Sequence, residues 1–218
     1  MVGDLMYVNY KKIKNKKYSS TIKGVNKEII NNLKNSYFSK FLQNNVLESP
    51  PTNESLKTRM ELSYLSELPK NRKFVEKYDD ISKIFTDYLK RNNKETNKDI
   101  IKSLIKEGNN VVFYYKQKYN RPRPEQLAEL YNVNLREVVS LDTMRTPSYP
   151  SGHSAIGFLI GRVMSDIYPE HKKDLMSLAK KISYSRQIGR AHYPSDSKAG
   201  EELGLKLYRE YVKNKNDD

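Results

Sequence analysis

Residues 150–169 read PSGHSAIGFLIGRVMSDIYP, and the fold class follows from them. Ile156, Leu159, Ile160, Val163 and Ile167 recur at the spacing of a helix with one apolar face. Pro169 stops the pattern, because proline cannot donate to the preceding turn. Pro150 to Ser154 stand just ahead of the helix, which the pattern starts near Ala155. Glycine and serine gather where a first turn leaves its N–H groups unpaired.

The same period runs outward in both directions. Leu56, Met60, Tyr64 and Leu68 mark one apolar stripe, ended by Pro69. Phe74, Tyr78, Ile81, Phe85 and Tyr88 mark another. Ile101, Leu104, Ile105, Val112 and Tyr115 mark a third, with Gly108 interrupting it. Leu175, Leu178, Ala179 and Ile182 follow Pro169, and Ala199, Leu203, Leu207, Tyr208 and Tyr211 close the chain. Val138-Val139 is too short to make a strand, and no period-two run with a hairpin turn occurs. The expectation is an all-α helical bundle with irregular segments around 117–150 and 189–195.

The chain has 218 residues, of which 37% are hydrophobic, enough for one sizeable core. Residues 1–48 read as a polar arm rich in Lys and Asn. It holds one helix, marked by Ile29, Ile30, Leu33, Tyr37, Phe38 and Phe41. Pro50-Pro51 then forces an extended break, and residues 49–218 form the helical domain. No run approaches the roughly 20 apolar residues of a membrane helix, so a soluble protein is expected. Residues 1–20 show no secretory signal. As the sequence stands the expected location is cytoplasmic, or exported if a signal has been removed. A homo-oligomer is compatible with the sequence.

Cysteine is absent, which excludes disulfides, thiolate catalysis and cysteine-bound zinc. The net charge is +14, with lysines scattered among asparagines along the whole chain. That pattern reads as compositional bias, so no nucleic-acid partner is expected; the charge helps recruit an anionic substrate instead.

Three segments carry chemistry. Pro150-Ser151-Gly152-His153 opens a helix, whose N–H groups and dipole suit an anion; the plain alternative is a capped helix with a surface histidine. Ser185-Arg186 leads to His192 and, four residues later, Asp196. A carboxylate on one ring nitrogen fixes the tautomer and leaves the other nitrogen to attack, although an acid in a first helical turn is also ordinary. Lys116 precedes Arg121-Pro122-Arg123-Pro124, where a lysine and a planar guanidinium can clamp a phosphoryl group. Alone, such a basic run is usually solvated surface.

Together the segments form Lys116, Arg123-Pro124, Pro150-Ser151-Gly152-His153, Ser185-Arg186, His192 and Asp196. This pattern closely resembles the signature of the type 2 phosphatidic acid phosphatase superfamily. Its soluble branch includes class A bacterial acid phosphatases, and vanadium haloperoxidases share the site. The resemblance is strong from about Val111 to Leu207. Pro50-Pro51, Ser55 and Glu61-Leu62 resemble the lead-in of soluble relatives.

The resemblance implies a metal-independent phosphatase without a cofactor, acting on a small phosphorylated substrate. Lys116, Arg123, Ser151, Gly152 and Arg186 would bind the phosphate. His192 would be the nucleophile, Asp196 its orienting partner and His153 the acid toward the leaving alcohol. His171 lies outside the signature and is expected at the surface. Two alternatives stand beside this reading: a vanadate-dependent haloperoxidase, and a basic module binding anions or nucleic acid.

Overall fold

The computed structural model describes residues 2–34, 36–136, 138–139 and 141–216. Among them the expected all-α fold is present, as eleven helices and two 3-10 turns without a strand. In chain order these are α1 (Val2–Asn15), α2 (Lys27–Lys34), α3 (Phe41–Asn44), α4 (Leu56–Glu67), α5 (Arg72–Lys77), α6 (Ile81–Arg91), α7 (Lys98–Tyr119), α8 (Pro124–Ala128), α9 (Gly152–Ile167), α10 (Lys172–Ile188) and α11 (Pro194–Asn216). No helix among the described residues is long and apolar enough to cross a membrane.

The quoted helix, α9, lies at the centre, packed against α10, α11 and α7. Two small positions on α11 set the closest crossing. A Cβ on Gly200 would sit 2.4 Å from the Ser151 carbonyl oxygen, and one on Gly204 would sit 2.3 Å from that of Ala155. Both distances lie far inside van der Waals contact, so the backbones meet only because these side chains are missing. The Ser151 N–H also donates to the Asp196 carbonyl at 3.0 Å. The starts of α9 and α11 are thereby fixed side by side.

Several sequence expectations need correction. Among the described residues of 1–48 there are three helices rather than one, and they share the core of the body. Leu33, Phe38, Phe41 and Leu47 are buried in the same core as α7, α9 and α11. Three tyrosine hydroxyls, on Tyr115, Tyr119 and Tyr149, donate to the carbonyls of Asn45, Leu47 and Glu48. Gly108 does not interrupt α7; it lies where that helix crosses Ile156 and Leu159.

On α4 the apolar stripe faces the wrong way. Leu56, Met60 and Tyr64 are 72%, 63% and 43% exposed, while Thr58, Glu61, Leu62 and Leu65 are buried. The helix is turned so that Glu61 reaches a buried arginine, described below. The stripe from Phe74 to Tyr88 is broken as well. Asp80 caps α6 by accepting from the Lys83 N–H at 2.9 Å, so α5 and α6 are separate helices and Asp79 sits at the break.

Candidate active site

The three segments singled out above meet at one cleft of about 440 Å³, lined by Lys116, Gly152, His153 and His192 among others. Each is positioned by a helix end. Lys116 stands in the last turn of α7, which Asn120 ends in the left-handed conformation. Arg123 is the N-cap of α8, with Pro124 at the first helical position, where its fixed backbone angle is already helical. Gly152 and His153 belong to the first turn of α9, one turn earlier than the sequence placed the helix start.

His192 is buried, and its two ring nitrogens have different neighbours. Nε2 lies 3.0 Å from the Arg123 guanidinium. A guanidinium can only donate, so Nε2 accepts and the ring proton belongs on Nδ1. That nitrogen faces Asp196 Oδ2 at 3.4 Å. Burial pushes the His192 pKa well down; the Arg123 and Lys116 charges push the same way and Asp196 opposes them. The ring is therefore neutral, with a lone pair on Nε2 inside a group of cations.

Asp196 is fully buried. It accepts from Ser148 at 2.5 Å, from the Tyr193 N–H at 3.1 Å and from Arg121 at 2.5 Å. Burial alone would raise its pKa, but Arg121 and the donated hydrogen bonds hold it well below the carboxylate range. Arg121 also lies over the Tyr193 ring at 4.0 Å and 3.5 Å from Glu61. Glu61 in turn accepts from the Ser195 N–H and hydroxyl at 2.6 and 2.8 Å. Its pKa is raised because burial outweighs the neighbouring donors.

Lys116 is buried, and its ammonium donates to the Pro147 carbonyl. Burial and the Arg123 charge lower its pKa well below the ordinary lysine value. Arg123 donates to the Thr146 and Ala191 carbonyls at 2.9 and 2.7 Å; burial brings its pKa down to about 10.

A second cluster faces these groups. Arg186, fully buried, donates to Asp79 at 2.6 Å and to the Val75 carbonyl at 3.1 Å. His153 Nε2 lies 3.2 Å from the same carboxylate and 3.0 Å from the Asp79 carbonyl. His153 donation and the Arg186 charge lower Asp79 to about 2, against burial. Burial, followed by Arg186, lowers His153, and Asp79 partly restores it.

One expected site residue, Ser151, sits differently from the rest. Ser151 is fully buried as the N-cap of α9, accepting from the Ser154 N–H at 3.3 Å. Its hydroxyl joins an inward chain through Ser154 and Ser183 to Glu201. His171, expected at the surface, is half-buried, with Nδ1 3.0 Å from the Tyr88 hydroxyl. Sequence reasoning gave no role to Asp79, Arg121, Glu61 or Ser148, although Arg121 stands in the basic run and Glu61 in the lead-in noted above. For Asp79 the available signal was Asp79-Asp80 just before an apolar helical run, a helix-start pattern.

A neutral histidine beside a locked carboxylate, close to buried cations, is an arrangement that could hold a tetrahedral oxyanion. The chain belongs to the PAP2 superfamily, whose family model matches residues 101–209, half of the chain. The non-specific acid phosphatase of Salmonella typhimurium is 33% identical over 136 residues, covering 58% of this chain and 52% of its own. That of Providencia stuartii is 35% identical over 81 residues, covering 37% and 32%. The chain thus spans about half the length, or less, of these curated relatives. The crystal structure of the first bacterial vanadium dependent iodoperoxidase is similar at a TM-score of 0.46 and 14% identity, over 94% of this chain and 52% of that one.

Proposed function

We propose that this protein is a phosphatase that transfers the phosphoryl group of a phosphomonoester to His192 and then to water. One observation carries the reading. His192 presents a neutral Nε2 to the cation group, with Nδ1 turned toward Asp196. In the first step Nε2 bonds to phosphorus as the ester P–O bond breaks. The leaving alkoxide takes a proton from His153. In the second step water attacks the phosphohistidine, His153 takes the water proton, and inorganic phosphate leaves.

Lys116, Arg123 and Arg186 stabilise the phosphoryl oxygens, as fixed charges in a dry site do without reorganising. The first-turn N–H groups at Gly152 and His153 add the positive end of α9. Ser151 acts by capping that turn. Asp196 holds the Nδ1 proton and stabilises the imidazolium-like charge that grows as Nε2 bonds to phosphorus. In this reading fixed cations do the work that metal ions do in two-metal phosphatases.

The test is chemical. Brief reaction with a labelled aryl phosphate, quenched in alkali, should leave an acid-labile phosphoryl group on the protein. His192→Ala should trap none and lose at least about 10³-fold in kcat, the scale of removing a nucleophile. Labelling of that variant at the wild-type level would overturn the assignment.

A further inference from the structure

We infer that the cleft over His192 selects phosphomonoesters of an uncharged, apolar alcohol, an aromatic ring or short alkyl chain in size, and disfavours a second phosphate beside the first. The inference deepens the phosphatase reading and rests on it. The cleft's volume, about 440 Å³, is that of a small-ligand pocket. Its phosphoryl end is Lys116, Gly152 and His192. The uncharged remainder of the lining is mostly apolar, with Ile81, Ile105, Val112, Phe113 and Ile156 against Ser82, Asn109 and Thr146. His153 lines the same cleft, so the alcohol it would protonate shares that space with these apolar side chains. Transfer of an apolar group from water onto such a wall is favourable, and a hydroxyl-rich alcohol gains little there.

The charges around the cleft point the same way. The chain carries a net charge of +14, yet among the described lining residues Lys116 is the one lysine or arginine, and Asp79, Asp80 and Asp142 line the cleft with it. Asp79 already holds Arg186 and His153. Asp80 is exposed at the start of α6, and Asp142 pairs with Arg145 at the surface at 2.8 Å. A phosphate on the leaving side would meet these carboxylates, with Arg145 and Arg186 already paired to two of them and no lysine or arginine but Lys116 among the described lining residues. Like charges at such a surface repel, and salt screens the repulsion.

The experiment compares kcat/KM of the full chain on hexyl, benzyl and glycerol 2-phosphates, hexyl diphosphate, and dodecyl phosphate below its micellar concentration. Hexyl and benzyl phosphates should exceed glycerol phosphate about tenfold, the scale of a few methylenes in an apolar pocket. Hexyl diphosphate should fall about tenfold below hexyl phosphate, a gap that narrows at high salt. Dodecyl phosphate should gain nothing over hexyl phosphate, since its chain outruns the cleft.

Two variants at exposed positions test the walls. Phe113, 37% exposed, should as Phe113→Ser lower the hexyl-to-glycerol ratio about tenfold. Asp142→Asn should raise the diphosphate-to-monophosphate ratio. Equal kcat/KM across the panel, with ratios unmoved by both variants, would overturn the inference and leave the phosphatase reading standing. A diphosphate preference, or a further gain with dodecyl phosphate, would also overturn it. Hydrolysis of no ester at all would overturn both.

Discussion

Arg121 and His192 face opposite oxygens of one carboxylate. The guanidinium meets Asp196 Oδ1 at 2.5 Å, and His192 Nδ1 lies 3.4 Å from Oδ2. Asp196 therefore has its charge balanced without the histidine. That is why the ring can stay neutral beside a carboxylate that never protonates in the working range. The Arg121 guanidinium is in turn braced by Glu61 from α4, so the orientation of α4 and the state of His192 belong to one chain of charges.

Replacing Arg121 by Met should destabilise the fold by about 3–5 kcal/mol, because it strands Asp196 as a buried charge without its cation. Urea unfolding followed by circular dichroism measures this. Glu61→Gln should cost less, since Glu61 keeps its Ser195 partners and is already poorly disposed to ionise. An Arg121 variant as stable as the parent would show that Asp196 does not depend on it.

The pH dependence follows from the two histidines. Both are lowered from 6.5, His192 well below it: burial is the largest cause for each, Arg123 and Lys116 add to it at His192 and Arg186 at His153, and the facing carboxylates, Asp196 and Asp79, oppose it. Between the two values His192 is neutral and His153 protonated, the states that nucleophile and acid require. A plot of kcat/KM against pH should be a bell with its maximum below about pH 6.5. A maximum at alkaline pH would reverse the two roles.

Asp79→Asn should move the alkaline limb of that bell down by about one unit, the usual effect of losing an adjacent opposite charge. The acid side of stability should change too. Asp79 is lowered from 3.8 to about 2, so its contribution is complete above the unfolded value and is lost as pH falls through about 2. The variant lacks that contribution at neutral pH, so its acid unfolding should begin at higher pH. Unmoved limbs with unchanged acid unfolding would leave Asp79 without a role in setting His153.

Much of this site was legible in the sequence because its members sit at helix ends with fixed local spacing. Lys116 to Arg123, Ser151 to His153, and Arg186 through His192 to Asp196 all lie within single segments. The supporting residues were not legible, because their partners are remote in the chain. Asp79 meets Arg186 across 107 positions and Glu61 meets Ser195 across 134; no local period encodes either. The same remoteness misled the reading of α4, where the hydrophobic spacing of Leu56, Met60 and Tyr64 was outweighed by the need to bring Glu61 inward. Gly200 and Gly204, four residues apart, mark one small face of α11, but its partner, the backbone of α9, is not written in the local sequence.

The last prediction concerns metal and vanadate. Chelators should leave hydrolysis intact, because the carboxylates that face the two site histidines are already committed. Asp196 is saturated by Arg121, Ser148 and the Tyr193 N–H, and Asp79 is held by Arg186 and His153. Vanadate should inhibit strongly. It adopts five-coordinate geometry like that of phosphoryl transfer, and a site complementary to that transition state binds such an analogue far more tightly than substrate. With Nε2 as the fifth ligand, His192→Ala should weaken vanadate binding at least about 100-fold, the lower end of the advantage of transition-state analogues. Calorimetric titration reads this directly, since the variant has too little turnover for inhibition to be followed. Activity lost in EDTA and restored by a divalent cation would refute the metal-free scheme. Vanadate bound equally by the variant would remove Nε2 as the attacking atom, and halide oxidation by the vanadate-loaded protein would replace hydrolysis with peroxidase chemistry.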